Sequence, residues 1–343
     1  MITNRWPVLL LFLPVFMGAA APAAVPTDWP RAAAVSPEAY VVLEITKPQV
    51  VLDRLFDPQV VQMVTAHPEY QRRAGEHDFQ QAMNLVQYFE RRFETDLRGL
   101  LQKLVGGGLT LAVGPGEQAL LIVEAEDAKA LKEVHDFLLM IARGEAGKEG
   151  QADRIKSADY RGITGWSLAP EQAHAVIGNR LLVTNQPKAL TEAIDRILDP
   201  DTSSTASSAG YRKARTALKP SAVATVFARM DVLRQLPQAQ SALDQESNAL
   251  LTLLAAPLMQ SFRQAEWLAM GLEMTDLTFV LEVVAGGDSS NTTAADTFAR
   301  PEESGGGALP NVRVPRQIAG VSLYRDLHKF YRAKDDLFPQ RTS

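Results

Sequence analysis

Three consecutive glycines, Gly106 to Gly108, and a Gly-Pro-Gly, Gly114 to Gly116, lie within one apolar stretch, LVGGGLTLAVGPGEQALLIVE, from Leu104 to Glu124. Glycines placed this densely could turn backbone N–H groups onto a phosphate. Phosphate cradling requires the glycines between a strand and a following helix, so that loop amides and the helix N-terminus converge on the anion. Here the order is helix, glycines, strand, Gly-Pro-Gly, strand, and no lysine follows at Walker spacing. The stretch reads instead as a helix C-cap followed by a β-hairpin, with Leu109–Val113 and Ala119–Val123 antiparallel across Gly114–Gln118.

The other chemical candidates are sparse. Five histidines, His67, His77, His135, His174 and His328, include no pair four residues apart on a helix and no H-E-x-x-H, so no zinc site is expected. His135 falls at the edge of an apolar helix face and His174 within a strand, as boundary histidines do. In GEHD, Gly75 to Asp78, adjacent side chains on a helix do not face one another. Neither G-x-S-x-G nor S-x-x-K occurs, and cysteine is absent. A triad assembled from distant Ser, His and Asp residues, or a carboxylate pair, stays open because such sites are recognised by geometry. YRDLHKFYRAKDDLF, Tyr324 to Phe338, is either an anion-contacting surface through Arg325, His328 and Arg332 or an amphipathic helix with Leu327, Phe330 and Tyr331 inward, and the second reading is preferred. No catalytic, cofactor-binding or metal-ligating residue is assigned, and no cofactor is expected.

The chain opens with Arg5, an apolar run from Trp6 to Met17 and Ala21-Pro22-Ala23, the pattern of a secretory signal peptide over residues 1–23. The run is short for a bilayer span and holds Pro7 and Pro14, so cleavage is favoured over an uncleaved anchor. Without cysteine an exported chain has neither disulfides nor a lipidated cleavage site, and must rely on its core. A periplasmic or extracellular location follows as the expectation. With 343 residues and 46% hydrophobic content that core can be large. A formal net charge of −5 with scattered Lys and Arg argues against nucleic acid. No membrane contact is expected beyond the signal peptide. The partner expected is an unidentified envelope or extracellular one.

The elements follow from periodicity. AYVVLEITK, Ala39 to Lys47, reads as a strand between prolines. Phe79, Met83, Val86, Phe89, Phe93, Leu97, Leu100 and Leu104 predict one long amphipathic helix, opened by Asp78 and Gln81 at capping-box spacing and ending at Gly106. Asp127 should cap a second helix with Leu131, Val134, Leu138 and Ile141 inward, followed by a loop over Gly144–Ser157. YRGITGWSL reads as a strand and AHAVIGNRLLVTN as a hairpin with a type I′ turn at Gly178-Asn179. Asn185 should cap a third helix with Pro187 in its first turn and Leu190, Ile194 and Ile197 inward. Asp201–Gly210 is a Ser-rich linker or loop. AVATVFARMDVLRQL then echoes YVVLEITKPQVVLDRL, and a helix from about Ala239 to Gln264 precedes the strands EWLAMGLEM and LTFVLEVVA.

The ordered set SPEAYVVLEI, LLQKLVGGGLTLAV, ALLIVEAEDAKAL, YRGITGWSL and AVIGNRLLVTNQPKALTEAID, over most of Ser36–Leu236 and joined by AVATVFARMDVLRQL, resembles a family of exported bacterial proteins catalogued only as a domain of unknown function. The resemblance implies an extracytoplasmic α+β protein with no catalytic residues to carry over. It also implies continuation past Ser343, and hence truncation. The expected architecture is α+β: two similar halves, 24–205 and 206–285, each a mostly antiparallel sheet against long amphipathic helices. A disordered or mobile linker over 286–310 and the start of a third strand-helix unit over 311–343 complete it. The expected function is a non-catalytic binding or scaffolding module of the envelope. The alternatives are an envelope hydrolase and a carrier or chaperone for apolar ligands.

Overall fold

A computed structural model describes residues 29–199, 201–236, 264–275, 278–286, 298 and 325–337. The strands are β1 (Val41–Ile45), β2 (Gly108–Gly114), β3 (Gln118–Glu124), β4 (Lys156–Tyr160), β5 (Ile163–Ala169), β6 (Gln172–Ile177), β7 (Arg180–Thr184), β8 (Ala224–Arg229), β9 (Trp267–Met274) and β10 (Phe279–Gly286). They form one antiparallel sheet in the order β10-β9-β8-β1-β2-β3-β7-β6-β5-β4. With its helices this makes an α+β fold. β1 lies at the junction, Leu43 pairing with Leu111 on one side and Val226 on the other. From that antiparallel β1–β8 pair, the β2–β3 and β9–β10 hairpins extend the sheet in opposite directions.

Side chains alternate between the two faces of a strand, and here both sets are largely buried, with polar Glu44, Thr110 and Thr225 among the first. On the first face, Thr225, Glu44, Thr110, Ile122, Leu182 and Ala175 form one row across six strands, all buried. Helices α7 (Pro187–Leu198) and α8 (Ala209–Ala217) cover this face, with Leu190, Ile194, Ile197 and Tyr211 buried. On the second face the parallel row is Met270, Val226, Leu43, Leu111, Leu121, Val183, His174 and Trp166. Helix α6 (Ala128–Lys148) crosses it near β5–β7, while Leu111 is 40% exposed.

Prolines start most of the helices between β1 and β2: α1 (Pro48–Leu55), α2 (Pro58–Ala66) and α3 (Pro68–Ala74) each begin on one, where the missing N–H costs nothing. The expected single long helix is two, α4 (His77–Arg92) and α5 (Leu97–Val105). Glu94 takes a φ of +50° and Asp96 caps the new helix by accepting from the Gly99 N–H, so an internal cap overrides an unbroken apolar repeat. Nor does Asp78 cap α4: Glu76 is its N-cap residue and Asp78 lies in the first turn.

Asp127 caps α6 through the Lys129 and Ala130 N–H groups, as its position predicts. The buried face of α6 differs from the expected one: Leu131 and Leu139 are buried, whereas Leu138 and Ile141 are exposed. A rotation of about one residue step produces this, placing His135 between Leu131 and Leu139 on the i, i+4 line. The helix also runs four residues past Gly144 into the stretch expected to be a loop.

YRGITGWSL is interrupted by a turn, because Arg161 and Gly162, at φ +52° and +82°, join β4 to β5. This matches type I′ chemistry, whereas at Gly178-Asn179 only the glycine has positive φ, +61°, as in a II′ turn. Asn185 does not cap α7, whose N-cap is Gln186; its side chain accepts from the Ala119 N–H and donates to the Glu117 carbonyl, each at 2.8 Å. The Ser-rich Asp201–Gly210 segment is packed: Thr205 is buried and donates to the Ser36 carbonyl at 2.6 Å, and Ser208 caps α8.

β8 continues into α9 (Met230–Leu233). The expected helix over 239–264 and the linker over 286–310 fall outside the described residues, except Gln264, Gly286 and Phe298. Helices α10 (Leu327–Arg332) and α11 (Lys334–Leu337) carry the remaining described segment. On α10, Phe330 packs its ring 5.1 Å from that of Phe298, but Leu327 and Tyr331 are exposed rather than inward.

The face assignment has a direct consequence for stability. Leu182→Ala empties a fully buried position and should lower the unfolding free energy by about 3 kcal/mol, against less than about 0.5 kcal/mol for Leu138→Ala. Urea titration followed by circular dichroism measures both.

Candidate functional site

The glycine segment makes room for an ion cluster at the end of the first sheet face. Gly108 has a φ of +126°, and a Cβ there would stand 2.5 Å from the Arg31 guanidinium; one on Gly107 would stand 2.5 Å from Glu124 Cγ. In that space Arg31 Nη1 donates to Glu124 Oε2 at 2.5 Å and to the Gly107 carbonyl at 2.8 Å, while its Nε donates to Thr110 Oγ1 at 3.0 Å. Arg180 Nη2 donates to Glu124 Oε1 at 2.8 Å, and its guanidinium lies 4.1 Å from the centre of the Trp29 ring. Burial alone would push the Glu124 carboxyl up, but the bonds and charges of Arg180 and Arg31 together outweigh it and hold it below its ordinary range.

This cluster organises structure. The glycines follow the C-terminus of α5, the negative end of the helix dipole, which repels rather than gathers anions. Along the same face Tyr211 Oη donates to Glu44 Oε2 at 2.5 Å, and burial followed by the Glu44 charge pushes the phenol pKa up.

Tertiary folding brings together two of the five histidines. His135 of α6 and His174 of β6 meet with ring centroids 5.2 Å apart at 71°. Burial first, and the neighbouring His135 second, push His174 down to about 4. The others stay apart: His67 accepts from the Glu69 N–H as the N-cap of α3, His77 lies 2.7 Å from the Gln81 amide, and His328 is exposed on α10. Among the described residues no group of three or more His, Cys, Asp or Glu side chains is placed to hold a metal ion. Nothing in the sequence signalled the pair, since its members are far apart in the chain and on different elements.

The second sheet face contains an open groove of ≈ 410 Å³. Its floor is Leu111, Ala119, Leu121 and Val183, and its rim includes Glu171, Gln172 and Asn185. Leu111, Leu121 and Val183 are consecutive members of one cross-strand row, so strand alternation alone aims them the same way. The rim is stitched: besides the two Asn185 bonds, Gln186 Nε2 donates to the Gly116 carbonyl at 3.0 Å, tying the β2–β3 turn to the end of β7. Thr184, also at the groove, donates its hydroxyl to the Ala173 and Gln186 carbonyls at 3.2 and 3.0 Å. No helix among the described residues is long and apolar enough to cross a membrane.

The glycine assignment is testable by contrast. Gly108→Ala should cost about 2 kcal/mol or more, because it adds backbone strain and displaces the Arg31 guanidinium from Glu124. Gly116→Ala, at φ +67° with open space around it, should cost only about 1 kcal/mol. Denaturant midpoints of the two variants compare them.

Comparison with known proteins places the chain by sequence. A family model described as "Protein of unknown function (DUF3352)" matches residues 65–302. No curated protein matches the chain. Among solved structures, crystal form I of TP0453 aligns at a TM-score of 0.40 with 10% identity, covering 78% of this chain and 82% of that one. Crystal form IV of the same protein aligns at 0.37, again with 10% identity, covering 74% and 78%. Because the family match extends over more than half of the sequence, this protein belongs to the DUF3352 family.

Proposed function

We propose that this protein is a non-catalytic binding module of the cell envelope, periplasmic or extracellular, that holds the apolar chain of an amphiphile in the groove over β2, β3 and β7. The observation that carries the reading is the carbon-lined floor of Leu111, Ala119, Leu121 and Val183. Its volume of ≈ 410 Å³ lies within the range of small-ligand sites. Covering such a floor with an apolar chain removes hydrocarbon from water on both sides, about 25 cal/mol for each Å² buried. Leu43, beside Leu111 in register, prolongs the apolar surface along the row.

The rim narrows the ligand. Glu171 makes no ion pair among the described residues, and the amide of Gln172 stands beside it. A carboxylate there disfavours an anionic headgroup and suits a neutral or cationic one. Binding is favoured over hydrolysis because the one hydroxyl among the groove residues, that of Thr184, points by strand alternation to the other face and is committed to backbone carbonyls. Export rests on the opening segment, with its Arg5, apolar run and Ala21-Pro22-Ala23.

Thermal unfolding of delipidated protein tests the reading with a long-chain monoacylglycerol, an alkyltrimethylammonium and the fatty acid of equal chain length. The first two should stabilise by about 3 kcal/mol at a hundredfold excess over Kd, and the fatty acid by less. Leu121→Asp should abolish the effect while leaving far-ultraviolet circular dichroism unchanged. Indifference to all three compounds would refute the binding role, and recovery of the full-length chain from the cytoplasm would refute export.

A further inference from the structure

Helix α6 meets the second sheet face with an ionisable group set among carbon ones, His135 lying between the buried Leu131 and Leu139. His135 is almost enclosed, its Nε2 buried and without a hydrogen-bond partner, and its Nδ1 lies 3.4 Å from Asp136 Oδ1. His174 is 6% exposed. Neutral imidazoles pack well edge to face at 5.2 Å, whereas two imidazolium ions at that distance, shielded from water, repel.

The groups facing the pair do not compensate for a second charge. On α6, Asp136 is the adjacent carboxylate, but Lys132 Nζ already sits 2.5 Å from it. Also on α6, Arg143 adds a positive charge, its guanidinium 4.8 Å from the centre of the Trp166 ring. Trp166 on β5 and Val183 on β7 are the direct cross-strand neighbours of His174, and neither carries charge. Glu133, on the flank of α6, is shared by Arg92 and Lys129 at 3.1 and 3.9 Å. Phe137, packed 4.7 Å from Tyr88 and 5.2 Å from Phe89 of α4, is an uncharged anchor on the other side of the helix.

We infer that α6 is an acid-released clasp: charging His174 where it packs against His135 lifts the helix from β5–β7 and uncovers the apolar sheet next to the groove. Val183 belongs to both surfaces, flooring the groove and pairing with His174. Release would therefore extend the exposed hydrocarbon without a break. The inference stands on the helix–sheet contact and holds whether or not the groove takes an amphiphile.

The direction with pH follows from proton linkage. His174, pushed from the ordinary 6.5 down to about 4 by burial and then by His135, is harder to protonate with α6 in place than with it released. The closed form thus binds fewer protons, and its advantage is whole above pH 6.5 and drains away as pH falls toward 4. Below that both forms are protonated and the dependence flattens.

Because the chain has no cysteine, two spin labels can be placed without background, at the exposed positions Met140→Cys on α6 and Ser157→Cys on β4. Electron–electron dipolar distances should be single and narrow at pH 7, and longer and broader at pH 4.5, with unchanged far-ultraviolet circular dichroism and full return on neutralisation. His135→Gln with His174→Gln should keep the narrow distance at both values. A distance that does not respond to acid, a response that persists without the histidines, or one that occurs only with loss of secondary structure would overturn the clasp.

Discussion

A sheet rich in apolar side chains on both faces must be covered twice, and the remainder of this structure follows from how the chain meets that demand. Strand runs such as LTLAV, ALLIV and RLLVT leave no polar side to turn toward water. The first face is closed by α7, α8 and the segment around Trp29, which bury Ile122, Leu182 and Ala175 completely. The second is closed more sparingly. There α6 crosses β5–β7, and Leu111, Leu121 and Val183 beside it are left as the floor of a groove. The candidate site is thus the part of one face where cover by the described residues stops.

Tight cover on the first face has its own cost. Glu124 and Arg180 sit at strand positions that point into it, so their charges must be paired where water is scarce. Arg31 and Arg180 both pair with Glu124, and Gly107 and Gly108 leave the space in which they do so. Such an arrangement stabilises less than its short distances suggest, because each ion gave up hydration and Arg180 keeps Nε and Nη1 buried without acceptors. Its larger effect is positional: Arg31 and Trp29 are tied to β2, β3 and β7 together, across the middle of the sheet.

Much of the architecture was legible from local pattern. The β2–β3 hairpin, the Asp127 cap, the inward face of α7 and both late strands follow from residue alternation, caps and turn glycines within a few neighbours. Where reading failed, a longer-range partner or a competing local cap had won. Asn185 is a good helix cap by type, yet the open edge of the β2–β3 turn takes its side chain. Asp201–Gly210 has the composition of a linker, yet Thr205 finds the Ser36 carbonyl and is buried. On α6 the apolar residues outnumber what one stripe can hold, so periodicity alone could not choose between Leu138 and Leu139.

The sequence by itself determined that the chain would be α+β, and that its glycines serve a helix end and a hairpin. Each of these depends on neighbours within a turn or a strand pair, where sterics and hydrogen bonding are set by residue type. Only the tertiary structure decided which strands lie side by side, and with that every feature of the site. Leu111 and Val183 share a floor, and His135 meets His174, because distant segments converge through burial, a non-directional force that leaves no spacing in the sequence to read.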